Sequence, residues 1–226
     1  MSQSLQKNVL VMLNMQDSLN KAVFPDWRVR QLAWHRAIYV EAAEFLDHLG
    51  TWKWWKKGHP DFPQANMELV DIWHFGLSWS LDNLYRGDMD ALAALLTAKM
   101  THSLDHLQRV HGCAISPENV DNEVRHEQVD LLVKDAGDRS FAFHAFITLL
   151  FYSGMDFDEL YKRYVGKNVL NRFRQENGYK TGTYRKVWQG REDNVHLDEI
   201  VNALPGDELL PVRVAEALQL RYDQAC

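Results

Sequence analysis

The sequence predicts an all-α protein folded as a helical bundle. Apolar residues recur at the three- and four-residue spacing of a helix in most segments, and no stretch sustains the strict alternation of a half-buried strand. The glycine-rich phosphate loops GxGxxG and GxxxxGKS/T do not occur in the sequence. Helices with one apolar face bury it most simply against one another, so a bundle follows.

The helices are expected in a simple order along the chain. The predicted spans are 4–22, 28–49, 64–85, 88–112, 141–151 and a final helix that starts after Asp156 and runs into a basic stretch. Residues 113–138 turn polar and aperiodic, with a helix start at Ser116. The length of 226 residues predicts one domain over 1–226, with an inserted segment at about 102–138, of which residues 113–138 are expected to be an insertion or lid-like.

The second and third helices each carry two acidic residues one turn apart. Glu41 and Glu44 lie at i and i+3 on the second helix, and Glu68 and Asp71 have the same spacing on the third. The loop between them contains Gly58 and two prolines, so the helices are most simply antiparallel neighbours. This arrangement brings four carboxylates together among apolar residues.

Four like charges in a partly buried site repel one another unless a cation neutralises them. Oxygen ligands without cysteine favour Mg²⁺, with Mn²⁺ as a substitute, over Zn²⁺. The two cysteines, Cys113 and Cys226, form no CxxC pair, so neither a zinc site nor a disulfide framework is indicated. A solvated helix face often has the same acidic spacing, and from the residues alone both interpretations stay open.

Amide and aromatic side chains near the acidic helices are candidates for binding a nucleobase. Gln16 and Asn20 on the first helix carry donors and acceptors that can recognise a base edge, or they can simply face water. Trp54 and Trp55 follow the first acidic pair and can either cap the core or stack on a base. His74 follows the second acidic pair on the same face, as a substrate contact or as a packed helix residue.

The net charge is −6, but the charged residues are distributed unevenly along the chain. Nine lysines and arginines but only one acid lie within residues 162–191. In this stretch Lys167, Asn171 and Arg174 recur on one helical face, a pattern suited to phosphate oxygens. A groove for a nucleic-acid backbone is the alternative, but the acidic remainder of the chain matches a long polyanion poorly.

Candidate membrane and targeting segments bear on where the protein acts. No apolar run approaches the ~20 residues of a membrane helix. The first residues lack the basic and apolar regions of a secretory signal. We therefore expect no membrane partner and a cytoplasmic location.

Five segments carry a resemblance to a known family, namely 13–20 (LNMQDSLN), 41–44 (EAAE), 52–56 (WKWWK), 68–74 (ELVDIWH) and 167–184 (KNVLNRFRQENGYKTGTY). Together they resemble the dimeric all-α dUTPases, which belong to the all-α nucleoside triphosphate (NTP) pyrophosphohydrolases that include MazG-like enzymes. The acidic pairs are shared by that whole group, whereas the last segment is far more specific to dUTPases. The resemblance covers most of the chain but not the region from about 102 to 138.

The resemblance implies a helical bundle of the all-α NTP pyrophosphohydrolase type and a Mg²⁺-dependent dUTP diphosphatase. The products would be dUMP and pyrophosphate, formed by attack of water on the α-phosphorus, with dUDP as a further candidate substrate. The implied metal ligands are Glu41, Glu44, Glu68 and Asp71, with Glu41 as the general base. The implied substrate contacts are Gln16 and Asn20 to uracil, Trp54 or Trp55 beside the base, His74 near the deoxyribose, and Lys167, Asn168, Asn171, Arg174 and Lys180 to the phosphates. A homodimer whose active site draws on both subunits is implied as well.

Three other functions stay open. A MazG-like or dCTP-directed pyrophosphohydrolase would keep the fold, but the base contacts and the last segment favour dUTP. A di-iron carboxylate bundle is suggested by the ExxH of Glu123 and His126, although that architecture needs two such motifs. A nucleic-acid-binding helical module is the third, and we expect no nucleic-acid partner because of the acidic net charge.

Overall fold

The computed structural model describes residues 2–112 and 115–224. Nine α-helices lie within these residues: α1 (Ser2–Val23), α2 (Trp34–Leu49), α3 (Phe62–Asn83), α4 (Met89–His111), α5 (Asn122–Gly137), α6 (Phe143–Tyr152), α7 (Phe157–Glu176), α8 (Asp193–Ala203) and α9 (Leu210–Asp223). A short antiparallel hairpin of β1 (Val187–Trp188) and β2 (Arg191–Glu192) precedes α8. The prediction of an all-α bundle is confirmed.

Helices α2 and α3 form an antiparallel pair, as the loop between them predicts. At one end the Trp34 indole Nε1 donates to Asp82 Oδ2 at 3.3 Å. At the other end the backbone N–H of Asp61 donates to the carbonyl of His48 at 2.8 Å. Gly50 ends α2 with a φ of +65°, a left-handed conformation that glycine adopts without strain. The acidic residues of the two helices therefore face one another near the middle of the pair.

The core is filled by aromatic and aliphatic side chains from most of the helices. Helix α1 packs on α3, α4 and α7, and α3 also contacts α6. Trp73 of α3 stacks on Phe146 of α6, with the ring centroids 5.1 Å apart. A Cβ at Gly76 would lie 2.6 Å from the ring of Phe141, so α3 approaches this ring too closely for any larger residue. Helix α3 is thus held on the side away from α2 by tight packing.

Helix α7 begins where its sequence predicts and then packs closely on α8. The Asp156 carboxylate accepts from the backbone N–H of Glu159 at 2.8 Å, the expected N-terminal cap. A Cβ at Gly166 would lie 2.4 Å from Val201 Cγ2, so the two helices nearly touch there. The close approach brings the N-terminal end of α8 beside the basic stretch of α7.

The prediction of a second helix from 28 to 49 is wrong at its start. Helix α2 begins only at Trp34, and Arg28 lies in a 3₁₀ turn, Trp27–Val29. Tertiary contacts hold this turn: the buried Trp27 ring meets the edge of Trp34, and Arg28 donates to Asp17 and to the carbonyl of Leu81. These contacts outweigh the local helical pattern.

Residues 115–138 form a packed part of the bundle rather than an aperiodic loop. The helix start predicted at Ser116 is only a 3₁₀ turn, Pro117–Asn119, and α5 follows it and packs on α2 and α6. The buried guanidinium of Arg125 donates to the carbonyls of Pro117 and Tyr152. Residues 115–138 are therefore not a lid-like loop. That this segment is an insertion stays a prediction.

Cys113 and Cys226 lie outside the described residues. None of the helices within 2–112 and 115–224 is both long enough and apolar enough to cross a membrane. The assignment of residues 1–226 to one domain stays a prediction, although the described helices share one hydrophobic cluster.

Candidate active site

A cavity of about 560 Å³ opens between α1, α2, α3 and α7. Eight of the predicted site residues line it: Gln16, Asn20, Glu41, Asp71, His74, Lys167, Asn171 and Arg174. Aromatic residues that were not predicted, Phe24, Trp34, Phe75 and Tyr179, line it too. Acids lie on the α2–α3 side of the cavity, amides on the α1 side and cations on the α7 side.

Three carboxylates converge where α2 and α3 face one another. One oxygen from each of Glu41, Glu44 and Glu68 lies within 4.8 Å of the others, and we call these three residues the acidic cluster. Glu41 is half-buried, Glu44 is exposed and Glu68 is buried. The i, i+3 spacing on antiparallel helices explains why these side chains meet, since it keeps each pair on the facing side.

The acidic cluster is electrostatically strained. Burial, reinforced by the charges of Asp71, Glu68 and Glu44, raises the pKa of Glu41 well above its ordinary value. Burial and the charge of Asp71 likewise raise the pKa of Glu68, and the charge of Lys167 opposes this only in part. The two carboxyls therefore hold protons near neutral pH unless a cation replaces them. All the converging donor atoms are carboxylate oxygens, the set that suits a hard divalent cation.

Asp71 lies beside the acidic cluster but has a protein partner. Its Oδ2 lies 2.8 Å from Lys167 Nζ, in an ion pair that spans from α3 to α7. Lys167 also donates to Asn194 Oδ1 at 3.4 Å. The fourth predicted acid is thus close to the other three, and a lysine compensates its charge.

Opposite the acidic cluster, α1 and α3 are joined by hydrogen bonds between buried polar side chains. Gln16 Nε2 donates to Asn20 Oδ1 at 2.9 Å, and Asn20 Nδ2 donates to Ser78 Oγ at 3.1 Å. Gln16 Oε1 lies 2.8 Å from His74 Nδ1 and accepts from the Tyr164 hydroxyl at 2.9 Å. We call these five residues the amide network.

The amide network is closely packed behind the cavity. The rings of His74 and Tyr164 stack with their centroids 4.2 Å apart, and Asn168 donates to the Tyr164 hydroxyl at 3.2 Å. Burial, aided by the charge of Lys167, lowers the pKa of His74 to about 3, so the imidazole is neutral at physiological pH. Since His74 Nδ1 faces an acceptor, its proton lies there, and the buried Nε2 has no hydrogen-bond partner among the described residues.

Arg174 is held by a buried carboxylate that the sequence did not point to. Its Nε and Nη2 donate to the two oxygens of Asp193, each at 2.8 Å, and its Nη1 donates to Asn171 Oδ1 at 3.1 Å. The Tyr184 hydroxyl donates to the same carboxylate at 2.8 Å. Burial alone would raise the pKa of Asp193, but the hydrogen bonds and charge of Arg174 outweigh it and hold the pKa below its ordinary value.

Six of the predicted site residues do not line the cavity. Two of them, Glu44 and Glu68, belong to the acidic cluster. Asn168 lies behind Tyr164, and Lys180 donates to the carbonyl of Val23 at the cavity edge. Trp54 and Trp55 lie in the loop between α2 and α3, 89% and 57% exposed, with their rings 5.5 Å apart. Within this chain the structure does not bring either tryptophan to the base side of the cavity.

Three residues that complete the site were missed in the sequence: Ser78, Tyr164 and Asp193. Ser78 lies 58 positions from its partner Asn20, and Tyr164 lies 148 positions from Gln16. Only the i, i+4 spacing of Tyr164 and Asn168 offered a local signal. Pairs so distant in sequence become visible only in the folded chain.

The sequence model of a protein family described as dUTPase matches residues 8–179. This match covers all the elements around the cavity, from α1 to α7. The chain belongs to the dUTPase family. No curated protein sequence matches it significantly.

As a member of this family the protein is a dUTP diphosphatase, a hydrolase of nucleotide metabolism. The family and the enzyme class predicted from the sequence are confirmed, and the di-iron and nucleic-acid-binding alternatives lose their support. Its substrate is therefore a nucleotide. The match ends at residue 179, so Tyr184 and Asp193 of this dUTPase lie beyond the matched region although they contact Arg174.

Proposed function

We propose that this dUTPase hydrolyses dUTP to dUMP and pyrophosphate with Mg²⁺ held by the acidic cluster and Asp71. One observation carries the proposal: carboxylates with raised pKa values converge beside a cavity whose other walls offer amides and cations. The donor set fits a hard divalent cation, and Mn²⁺ is the expected substitute. When bound, the cation supplies positive charge that neutralises the polyphosphate and the carboxylates together.

Glu41 is the proposed general base. Of the cluster, it is the residue that lines the cavity, so its carboxylate is the one placed to reach a water molecule beside the substrate. In this mechanism Glu41 accepts a proton from water as the water oxygen attacks the α-phosphorus. The bond from the α-phosphorus to the bridging oxygen breaks, and the electron pair leaves with pyrophosphate.

Gln16 and Asn20 are the proposed contacts to uracil, and His74 is the proposed contact to the deoxyribose. Both amides line the cavity and can exchange hydrogen bonds with a base edge. The buried lone pair of His74 Nε2 supports the second assignment, because a sugar hydroxyl is a donor that would satisfy it.

The proposed phosphate contacts are the polar residues of α7 and the turn after it: Lys167, Asn168, Asn171, Arg174 and Lys180. The cavity lining by Lys167, Asn171 and Arg174 supports this assignment. Two of the three cations in this group are paired with acids, Lys167 with Asp71 and Arg174 with Asp193. Their charges are therefore oriented before a substrate arrives, and polyphosphate would share Lys167 with Asp71.

A homodimer and a cytoplasmic location are further parts of the proposal. The exposed Trp54 and Trp55 support the dimer, because large aromatic side chains are enriched at protein interfaces. In a dimer either tryptophan could approach the base in the partner's cavity. Light scattering and mixing of a Trp54→Ala, Trp55→Ala chain with an inactive Glu41→Gln chain would test this, and recovery of activity in the mixture is expected.

The decisive experiment measures nucleoside monophosphate formation from dUTP, dUDP, dTTP, dCTP and UTP with Mg²⁺. Selective turnover of dUTP that falls at least about a hundredfold in Glu41→Gln is expected, the usual range for loss of a general base. The matched control is Asp47→Asn, an exposed acid on the same helix, which should keep full activity. Equal turnover of several triphosphates would instead favour a MazG-like enzyme, and an active Glu41→Gln would exclude Glu41 as the base.

A further inference from the structure

Ser78 is a fully buried hydroxyl on α3 that the proposed mechanism does not use. Its Oγ donates to the backbone carbonyl of His74, one turn earlier, at 3.0 Å. Asn20 Oδ1 is a second acceptor, 3.4 Å from Ser78 Oγ, but the carbonyl is the nearer one, so we place the single Ser78 proton on the bond to His74. The Ser78 oxygen is left as an acceptor, and Asn20 Nδ2 donates to it at 3.1 Å.

This first bond gives the whole amide network a direction. Because Asn20 directs its NH₂ group to Ser78, its Oδ1 faces Gln16 and accepts from Gln16 Nε2 at 2.9 Å. Gln16 Oε1 then faces inward, where it accepts from His74 Nδ1 at 2.8 Å and shares the Tyr164 hydroxyl proton with the backbone carbonyl of Met12, at 2.9 and 3.0 Å. Each amide therefore has one orientation in which all of these bonds are made. The bond between Ser78 and Asn20, at one end of the network, selects that orientation.

The orientation decides which groups are left for a ligand. Gln16 retains a second N–H, Asn20 Oδ1 retains a second lone pair, and Asn20 Nδ2 retains a second N–H. The pair thus offers donor, acceptor and donor. Uracil presents the complementary acceptor, donor and acceptor from O4, N3–H and O2, whereas cytosine presents a donor at N4 and an acceptor at N3, which oppose like groups.

Reversal of both amides would invert this pattern. Gln16 and Asn20 would then offer acceptor, donor and acceptor, which matches N4 and N3 of cytosine. A site that leaves buried polar groups unpaired rejects a ligand strongly, so the orientation of the amides can control the choice of base.

We propose that Ser78 is a specificity-determining positioning residue, which orients Asn20 and Gln16 so that the site accepts uracil and rejects cytosine. This role rests on the proposed function of the two amides in base recognition. Ser78 acts through Asn20 and contacts no reacting atom.

The chain offers a closely matched control. Ser80 lies on the same helix, is equally buried, and donates to the carbonyl one turn earlier, Gly76, at 2.7 Å. It is not part of the amide network. Ser78→Ala and Ser80→Ala therefore remove the same group from the same kind of environment, and they differ in the contact to Asn20.

The test compares kcat/KM for dUTP with kcat/KM for dCTP in the full chain. Ser78→Ala should lower the dUTP-to-dCTP ratio roughly tenfold, since one orienting hydrogen bond is lost. Ser80→Ala should leave the ratio unchanged. The affinities for dUMP and dCMP, measured by calorimetry, should shift in the same direction without turnover. A merely structural role would lower both activities together and leave the ratio intact, which would overturn the proposal.

Two further variants keep the outcome interpretable. Asn20→Ala should reduce the ratio by about a hundredfold, because a base contact is removed outright. If Asn20→Ala leaves the ratio unchanged, the proposed base recognition fails; if Asn20→Ala lowers it and Ser78→Ala does not, only the role of Ser78 fails. Should Ser78→Ala unfold the protein, Ser78→Cys decides, because a thiol fills the site but is a poor acceptor.

Discussion

The acidic cluster and the amide network lie across one cavity and differ in what they lack. In the acidic cluster, like charges meet, and the pKa values of Glu41 and Glu68 are raised because burial disfavours their charged forms and neighbouring carboxylates repel them. In the amide network, the side chains are paired with one another, apart from His74 Nε2. One region therefore needs a cation to offset its charges, whereas the other is neutral, is held by its own hydrogen bonds and keeps donors and acceptors for a ligand.

This difference separates two tasks of a nucleotide hydrolase. A strained cluster gains most when charge arrives, so it suits metal and phosphate chemistry. A pre-satisfied network resists rearrangement, so it suits the choice of a base. Removal of a group from the first region should reduce activity without loss of stability, and removal of a satisfied group elsewhere in the site should reduce stability.

The largest expected effect is on catalysis through Glu68. Glu68→Gln should lower kcat/KM for dUTP about a thousandfold, because a ligand for the cation is lost. The melting temperature without metal should stay the same or rise, since one member of a repelling set becomes neutral. Activity assays and thermal melts of Glu68→Gln and of the surface control Asp47→Asn check both statements. A large fall in melting temperature would show that the cluster is not strained.

The next effect is on stability through the buried pair of Asp193 and Arg174. Asp193→Ala should reduce the free energy of unfolding by about 3 kcal/mol, because it leaves a buried guanidinium without its carboxylate. Urea denaturation measures this change. Glu208→Ala is the control: it breaks the exposed pair with Lys7, and no measurable change is expected.

Metal binding should stabilise the protein in a pH-dependent way. At about a hundred times its Kd, Mg²⁺ should add about 2.7 kcal/mol to the free energy of unfolding. Since Glu41 and Glu68 have pKa values above those of the unfolded chain, the metal-free protein loses stability as pH rises from the unfolded pKa towards the raised ones.

Mg²⁺ competes with these protons, so its stabilising effect should be larger at about pH 8 than at about pH 6. Thermal melts with Mg²⁺ and with a chelator check the sign. The double variant Glu41→Gln, Glu68→Gln should show little effect of the metal at either pH. A stabilising effect that shrinks as pH rises would contradict the assignment of these carboxyls as metal ligands.

The smallest expected effect comes from the amide network. Tyr164→Phe removes a hydroxyl that bonds Gln16, and it should lower the free energy of unfolding by about 1 kcal/mol. The loss should be the same with and without Mg²⁺, in contrast to the acidic cluster. Tyr161→Phe on the same helix is the control outside the network, and its effect should be smaller in denaturant titrations.

Much of the fold could be predicted because helices leave a periodic pattern. The spans of α1, α3 and α4 agree with the expected ones to within two residues at each end. The start of α2 could not be predicted, since Gln31 adopts a φ of +48° and the turn before it is held by partners in α1 and α3. A local pattern does not reveal such contacts.

The site residues, too, are partly predictable from the sequence and partly visible only in the folded chain. The sequence by itself determined the acidic pairs, the stripe of Lys167, Asn171 and Arg174 and the family, because i, i+3 and i, i+4 spacings fix which side chains share a helix face. Tertiary structure alone decided that Asp71 pairs with Lys167, that Asp193 holds Arg174 and that Ser78 contacts Asn20. The physical reason is that a hydrogen bond or ion pair depends on distances of a few ångströms between helices, which periodicity along one helix does not encode.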